Sequence, residues 1–83
     1  MDYKINYELT AKIEIINEFS FSVYSRLLNY VLKNNYEGDP FYEALLESFQ
    51  EVLSVDIEFL DAEKLEKVLL YWKAMNQYIK QIT

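Results

Sequence analysis

The sequence contains no cysteine and no histidine, and it has a single glycine and a single proline among its 83 residues. Without these thiols and imidazoles, disulfide bonds, the usual zinc sites and histidine-based nucleophilic catalysis are excluded. One glycine cannot form a phosphate-binding glycine loop. Paired carboxylates hydrolyse glycosides only where they converge in a concave site, and the sequence has no EF-hand calcium loop. We therefore expect no enzyme, no bound metal and no cofactor.

Long apolar runs are also missing. No stretch approaches the roughly 18 apolar residues of a membrane span, and the N-terminus lacks the apolar core of a secretory signal. We therefore expect a cytoplasmic protein that does not contact a membrane. The length predicts a single domain, residues 1–83, and the 52% hydrophobic content predicts a packed globule rather than a disordered chain.

The only glycine and proline lie together in the segment from Asn34 to Pro40, which predicts the main break in the chain. Asp39 is placed as an N-cap and Pro40 as the first residue of a helix, where its missing N–H has no cost. The apolar residues that follow fall on one side of a helical wheel and predict an amphipathic helix. They are Phe41, Tyr42, Leu45, Leu46, Phe49, Val52 and Leu53.

Asp61 is a second candidate N-cap, with Glu63 in the first turn of the helix that follows it. The apolar face of this last helix comprises Leu65, Val68, Leu69, Trp72, Met75 and Ile79. Residues 22–34 also have helical spacing. Their apolar arc is wider, about 200° on a wheel of about 100° per residue, which predicts a central helix touched by two neighbours.

Residues 3–23 are ambiguous because nearly all odd positions are apolar and nearly all even positions are polar. Such alternation is typical of strands, but a hairpin here has no glycine for its turn. Helical spacing through Leu9, Ile13, Ile16, Val23 and Leu27 is also present, interrupted only by Ser20. Residues 54–60 alternate in the same way. We predict a mainly α, compact bundle of three to four helices; the alternative is an α+β fold with an N-terminal β-hairpin, residues 3–17, packed on helices.

The net charge of −6 is distributed unevenly along the chain. Residues 1–36 hold four acids and four bases, residues 37–63 hold nine acids and no base, and residues 64–83 hold one acid and four bases. Direct nucleic-acid binding is excluded because it requires clustered Lys and Arg. An acidic segment of this kind favours a basic protein partner, although an acidic face is also commonly no more than a solvated surface.

Three of these acids, Glu43, Glu47 and Glu51, recur every four residues, so a helix would place them in a row about 6 Å apart. Like charges at this spacing oppose the helix, which indicates a role other than stability. Tyr36 and Tyr42 border the segment, and tyrosine beside carboxylates is a plausible surface for Arg and Lys side chains. The candidate partner-binding residues are Glu37, Asp39, Tyr42, Glu43, Glu47, Glu51, Asp56, Glu58 and Asp61.

A short acidic helical chain with such a segment resembles the small inhibitors made by bacteria and phages. It is similar to helical immunity proteins that neutralise toxins, and to acidic phage proteins that mimic DNA or block a host factor. The resemblance implies that Glu43, Glu47 and Glu51, aided by Asp56, Glu58 and Asp61, occupy a basic cleft of the partner.

We therefore expect a non-enzymatic, protein-binding inhibitor that blocks a basic nucleic-acid-processing partner, such as a nuclease. The alternative is a homo-oligomeric structural or regulatory helical protein, with surface residues such as Leu70 in a symmetric interface. In that case the acidic face serves solubility, and the chain would form a homodimer.

Overall fold

The computed structural model describes residues 3–83, with side chains described from Leu9 onward. It contains three α-helices: α1 (Tyr3–Lys33), α2 (Pro40–Leu53) and α3 (Ala62–Ile82). A single turn of 3-10 helix, Ile57–Phe59, lies between α2 and α3. Residues 3–83 contain no strand, so the mainly α prediction is confirmed and the α+β alternative is wrong.

The three helices run up, down and up. Lys12 and Arg26 of α1 contact Glu66 and Asn76 of α3, in the same order along both helices, so α1 and α3 are parallel. Helix α2 is antiparallel to both. The 31 residues of α1 account for most of the length of the described chain, which measures 53 × 19 × 16 Å.

The core lies along the line where the three helices meet. Trp72 is 1% exposed, and its ring lies 5.2 Å from that of Phe49 and 5.1 Å from that of Tyr71. Helix α1 contributes one stripe to this core and touches both α2 and α3, as the wide apolar arc predicted. The far edge of this apolar arc is not covered by another helix, since Leu32 is 49% exposed. The buried apolar residues are Ile16, Val23, Leu27, Val31, Phe49, Ile57, Leu65, Trp72 and Ile79.

Residues 3–23, whose apolar positions alternate, are helical, and the core buries only about every third or fourth residue of the part whose side chains are described. Helix α1 therefore leaves the odd-numbered Ile15 and Phe21 exposed to water. Ser20, which interrupts the apolar stripe, is buried, and its hydroxyl donates a hydrogen bond of 3.1 Å to the carbonyl of Asn17. Because this bond satisfies the hydroxyl within its own helix, the buried serine is tolerated.

Residues 54–60 are not a strand either. Ile57 is buried under the core, while Phe59, which strand alternation would place on the same side, is 83% exposed. Both residues belong to the 3-10 turn, whose geometry points their side chains in different directions.

The turn between α1 and α2 combines two backbone motifs. Asn35 has a left-handed φ of 58°, and the N–H groups of Asn35 and Tyr36 bond back to Leu32 and Val31, which is the Schellman pattern that ends a helix. Gly38 follows with φ of 84°, the conformation that a type II turn requires at its third residue. The main break was therefore predicted correctly.

Both predicted N-caps are confirmed. The Asp39 carboxylate accepts hydrogen bonds from the backbone N–H groups of Phe41 (2.9 Å) and Tyr42 (3.3 Å), and Pro40 begins α2. The Asp61 carboxylate accepts one from the N–H of Lys64 at 2.9 Å. Among the helices of the described residues, none is long and apolar enough to cross a membrane.

Candidate protein-binding surface

The carboxylates of the acidic segment, residues 37–63, face outward. Eight of its nine carboxylate residues are exposed, and the ninth, Asp39, is partly buried because it caps α2. Two of the nine, Asp39 and Asp61, are engaged by backbone N–H groups at helix starts. Of the other seven, only Glu63 forms an ion pair within residues 9–83, so most of these carboxylates face solvent without a charged partner.

The predicted row of glutamates is present on α2. Glu43, Glu47 and Glu51 are all exposed and lie one helical turn apart, opposite the buried Phe49 side of the helix. Glu51 also lies near the ring of Tyr71 on α3. Partial burial raises the pKa of the Tyr71 hydroxyl, and the negative charge of Glu51 raises it further.

The lysines whose side chains the structure describes leave this segment largely uncompensated. Within residues 9–83, two ion pairs are found. One joins Lys12 to Glu66, outside the segment, and the other joins Lys67 to Glu63 at 3.9 Å between two exposed side chains. An exposed pair at that distance contributes little, so the acidic charge remains available to another molecule.

Aromatic side chains converge beside the N-terminal end of α2, in a group that we name the turn cluster: Tyr30, Tyr36, Phe41, Tyr42 and Tyr78. The rings of Tyr36 and Tyr42 are stacked, with centroids 5.0 Å apart and planes 8° from parallel. Tyr30 lies against both of them, at 5.8 and 6.0 Å. Phe41 contacts Tyr42 edge-on and reaches Tyr78 at the end of α3.

The packing of the turn cluster affects the pKa of the Tyr42 hydroxyl. Desolvation raises its pKa above the ordinary tyrosine value, and the neighbouring Tyr30, Tyr36 and Asp39 raise it further. Sequence reasoning selected Tyr42 and Tyr36 but missed Tyr30, Phe41 and Tyr78, since their proximity depends on how the turn brings α1, α2 and α3 together.

A small crevice opens at the other end of α2. It is lined by residues of the three helices and of the segment between α2 and α3, among them Ser20, Leu53, Val55 and Trp72, and its volume of about 20 Å³ is close to that of one water molecule. A crevice of this size does not hold a substrate.

The fold and this surface define a small three-helix bundle with exposed carboxylates. The chain belongs to the bacterial epsilon antitoxin family, whose profile matches residues 5–82. The inhibitor class inferred from composition and charge is therefore supported. The similarity is spread over nearly the whole chain rather than concentrated in a short motif.

Individual relatives agree with this assignment. The chain is 46% identical to antitoxin epsilon 1 of Enterococcus faecalis and to antitoxin epsilon of Streptococcus agalactiae, over 94% of this chain and 90% of each relative. It is 32% identical to antitoxin epsilon of Lactococcus lactis subsp. lactis, over 95% of this chain and 94% of the relative. No solved structure matches the chain.

Proposed function

We propose that this protein neutralises a bacterial toxin by binding to it, without catalysing a reaction, and that the acidic segment forms part of the contact surface. Membership of an antitoxin family supports the first statement. The second rests on one observation, the outward-facing and largely unpaired carboxylates of residues 37–63. The partner that fits this surface has clustered Lys and Arg side chains, as nucleic-acid-processing proteins do.

The binding residues in this proposal are Glu37, Asp39, Tyr42, Glu43, Glu47, Glu51, Asp56, Glu58 and Asp61. Complementary charge speeds association and favours the correct partner, whereas desolvated aromatic side chains supply most of the affinity. In this proposal the row of glutamates on α2 speeds association, and Tyr42 supplies affinity. Asp39 and Asp61 contribute charge while they hold the starts of α2 and α3.

The toxin is first isolated by affinity capture from the native host with this chain as bait, and its affinity for the purified chain is then measured by calorimetry. The test variant is Glu43→Lys with Glu47→Lys. The matched control is Glu14→Lys with Glu18→Lys on α1, two exposed glutamates with the same spacing and the same change in charge.

We expect the α2 pair to weaken binding about tenfold or more and the α1 pair to weaken it much less. An equal loss from both pairs would show that binding responds to net charge and not to this surface. Unchanged affinity of the α2 pair would rule the acidic segment out as the contact.

A second candidate is self-association, favoured by large apolar side chains on the outside of the bundle. Leu70 of α3 is 53% exposed, and Phe21 of α1 is 67% exposed. Exposed apolar residues of this size are typical of interfaces between copies when they form a contiguous patch. Light scattering over a range of protein concentrations tests this candidate, because a monomer at all concentrations contradicts it.

A further inference from the structure

The turn cluster contains an aromatic ring that is exposed and at the same time firmly held. Tyr36 is 37% exposed, and its neighbour Phe41 is 49% exposed. One face of the Tyr36 ring lies on Tyr42, and no other ring is stacked on the opposite face within the part of the chain described. With Tyr36 and Phe41 both exposed, the cluster presents aromatic surface to solvent.

The backbone of Tyr36 is held on both sides. Its N–H donates a 2.9 Å hydrogen bond to the carbonyl of Val31, and its own carbonyl accepts a 3.0 Å hydrogen bond from the N–H of Asp39. With the ring also stacked on Tyr42, little freedom remains to be lost when a ligand binds. Such preorganisation is typical of the aromatic residues that dominate binding energies.

Carboxylates adjoin the stacked Tyr36 and Tyr42 in the sequence. Glu37 follows Tyr36 directly, and Glu43 follows Tyr42; both are exposed and neither forms an ion pair within residues 9–83. Asp39 is engaged by the start of α2. Lys33, the nearest cation along the chain, is exposed and makes no ion pair with these carboxylates.

The ligand that gains most from both features is a planar cation. A guanidinium group stacks on an aromatic ring and donates paired hydrogen bonds to a carboxylate, whereas an ammonium group is a compact, strongly hydrated charge. An apolar side chain would gain the ring contact but would leave the carboxylates without a partner. The combination of an exposed ring with unpaired carboxylates next to it in the sequence therefore favours arginine over lysine.

We propose that the turn cluster is a binding site for an arginine side chain of the partner protein, which stacks on Tyr36 and pairs with Glu37 or Glu43. This inference deepens the proposed function, on which it rests for the partner being a protein with a basic surface. It adds the chemistry of one anchoring contact, which the row of glutamates alone does not specify.

The first test uses small probes and the intact chain. N-acetyl-arginine-amide and N-acetyl-lysine-amide are titrated separately, and the ring resonances of the tyrosines are followed by NMR. We expect the arginine probe to shift the Tyr36 and Tyr42 rings with an affinity about two- to fivefold higher than that of the lysine probe. The ring of Tyr71, far from the turn, serves as an internal control. Equal affinities, or shifts that do not involve Tyr36, would overturn the proposal.

Two variants of Tyr36 separate the aromatic contact from general packing. Tyr36→Phe keeps the ring and is expected to retain the preference for arginine. Tyr36→Leu keeps apolar bulk without the ring and is expected to remove the preference, with helical circular dichroism confirming that the variant is folded. A preference that survives in the leucine variant contradicts the stacking contact.

The second test uses the captured toxin and separates this inference from the proposed function. We expect Tyr36→Leu to weaken toxin binding about tenfold, and Tyr36→Phe to weaken it little. If toxin binding is lost with Glu43→Lys and Glu47→Lys but is unchanged with Tyr36→Leu, the arginine site is wrong and the acidic surface stands. If none of these variants affects toxin binding, both proposals are wrong.

Discussion

The Nζ atom of Lys12 lies 2.6 Å from Oε2 of Glu66, which joins the N-terminal half of α1 to the second turn of α3. Both side chains are partly shielded from solvent. The hydrogen bond from Lys12 lowers the pKa of the Glu66 carboxyl, and the positive charges of Lys12 and Lys73 lower it further. The pair thus favours the parallel alignment of α1 and α3.

The first prediction concerns the pH dependence of this pair. Because the pKa of Glu66 is lower in the folded chain than in the unfolded chain, the pair stabilises the fold above the ordinary carboxyl pKa and loses this effect as pH falls through the lowered value. We expect Glu66→Gln to have a lower melting temperature than the parent at neutral pH, and the difference to shrink in acid. Thermal unfolding across this pH range measures it.

The control for the first prediction is Glu63→Gln. Glu63 lies on the same helix, and its 3.9 Å pair with Lys67 is far more exposed to solvent. This variant should lose little stability at either pH. A difference between Glu66→Gln and the parent that stays constant down to acidic pH would contradict the role assigned to the Lys12 contact.

The second prediction concerns Trp72, which fills the centre of the core between Phe49 and Tyr71. Replacement by alanine leaves a cavity, and we expect a loss of about 3–5 kcal/mol of unfolding free energy, measured by urea denaturation. Leu70→Ala, two residues away on the same helix at a position 53% exposed, should change it by less than about 0.5 kcal/mol. Comparable losses in both variants would place the core elsewhere.

The sequence predicts the starts of α2 and α3 well, because local chemistry determines them. Asp39, Pro40 and Asp61 act through neighbouring backbone groups, so the prediction requires no knowledge of distant contacts. The first 23 residues were harder, since both a strand and a helix fit their spacing. Burial decided the outcome: Ser20 could enter the core only because its hydroxyl bonds within α1.

Part of the candidate surface is predictable because it depends only on local sequence pattern. The exposure of Glu43, Glu47 and Glu51 follows from helical periodicity, and counting charges finds the segment. The turn cluster does not follow from any periodicity. Tyr30 reaches Tyr42 from α1, and Tyr78 reaches Phe41 from the other end of the sequence, so these contacts form only once the helices have packed.

The third prediction concerns Gly38 in the turn beside this cluster. Its φ of 84° is a conformation that residues with a side chain rarely adopt, although a Cβ placed there would meet no atom within 4 Å. We therefore expect Gly38→Ala to cost about 1–2 kcal/mol of unfolding free energy through backbone strain alone. Gly38→Asn should cost less, because asparagine tolerates the left-handed region better. Equal costs, measured by urea denaturation, would point to another cause.

The fourth prediction concerns Glu47, which lies in the middle of the row on α2 and faces a like charge one turn away on each side. Relief of two repulsions by Glu47→Gln should raise the unfolding free energy by about 0.4–1 kcal/mol in about 10 mM salt. Glutamine and glutamate have similar helix propensities, so the change reports the charge.

Glu43→Gln is the matched control for Glu47→Gln. Glu43 has one like-charged neighbour in the row and lies in the first turn of α2, where the helix dipole favours a negative charge. Its replacement should therefore give no gain or a small loss. Thermal unfolding in about 1 M salt should reduce the difference between the two variants, because exposed charges are then screened. A gain at Glu43 equal to that at Glu47, or one that persists at high salt, would show that repulsion along α2 is not its source. If Glu47→Gln gains stability and loses affinity for the toxin, the row has been kept for binding at the expense of helix stability.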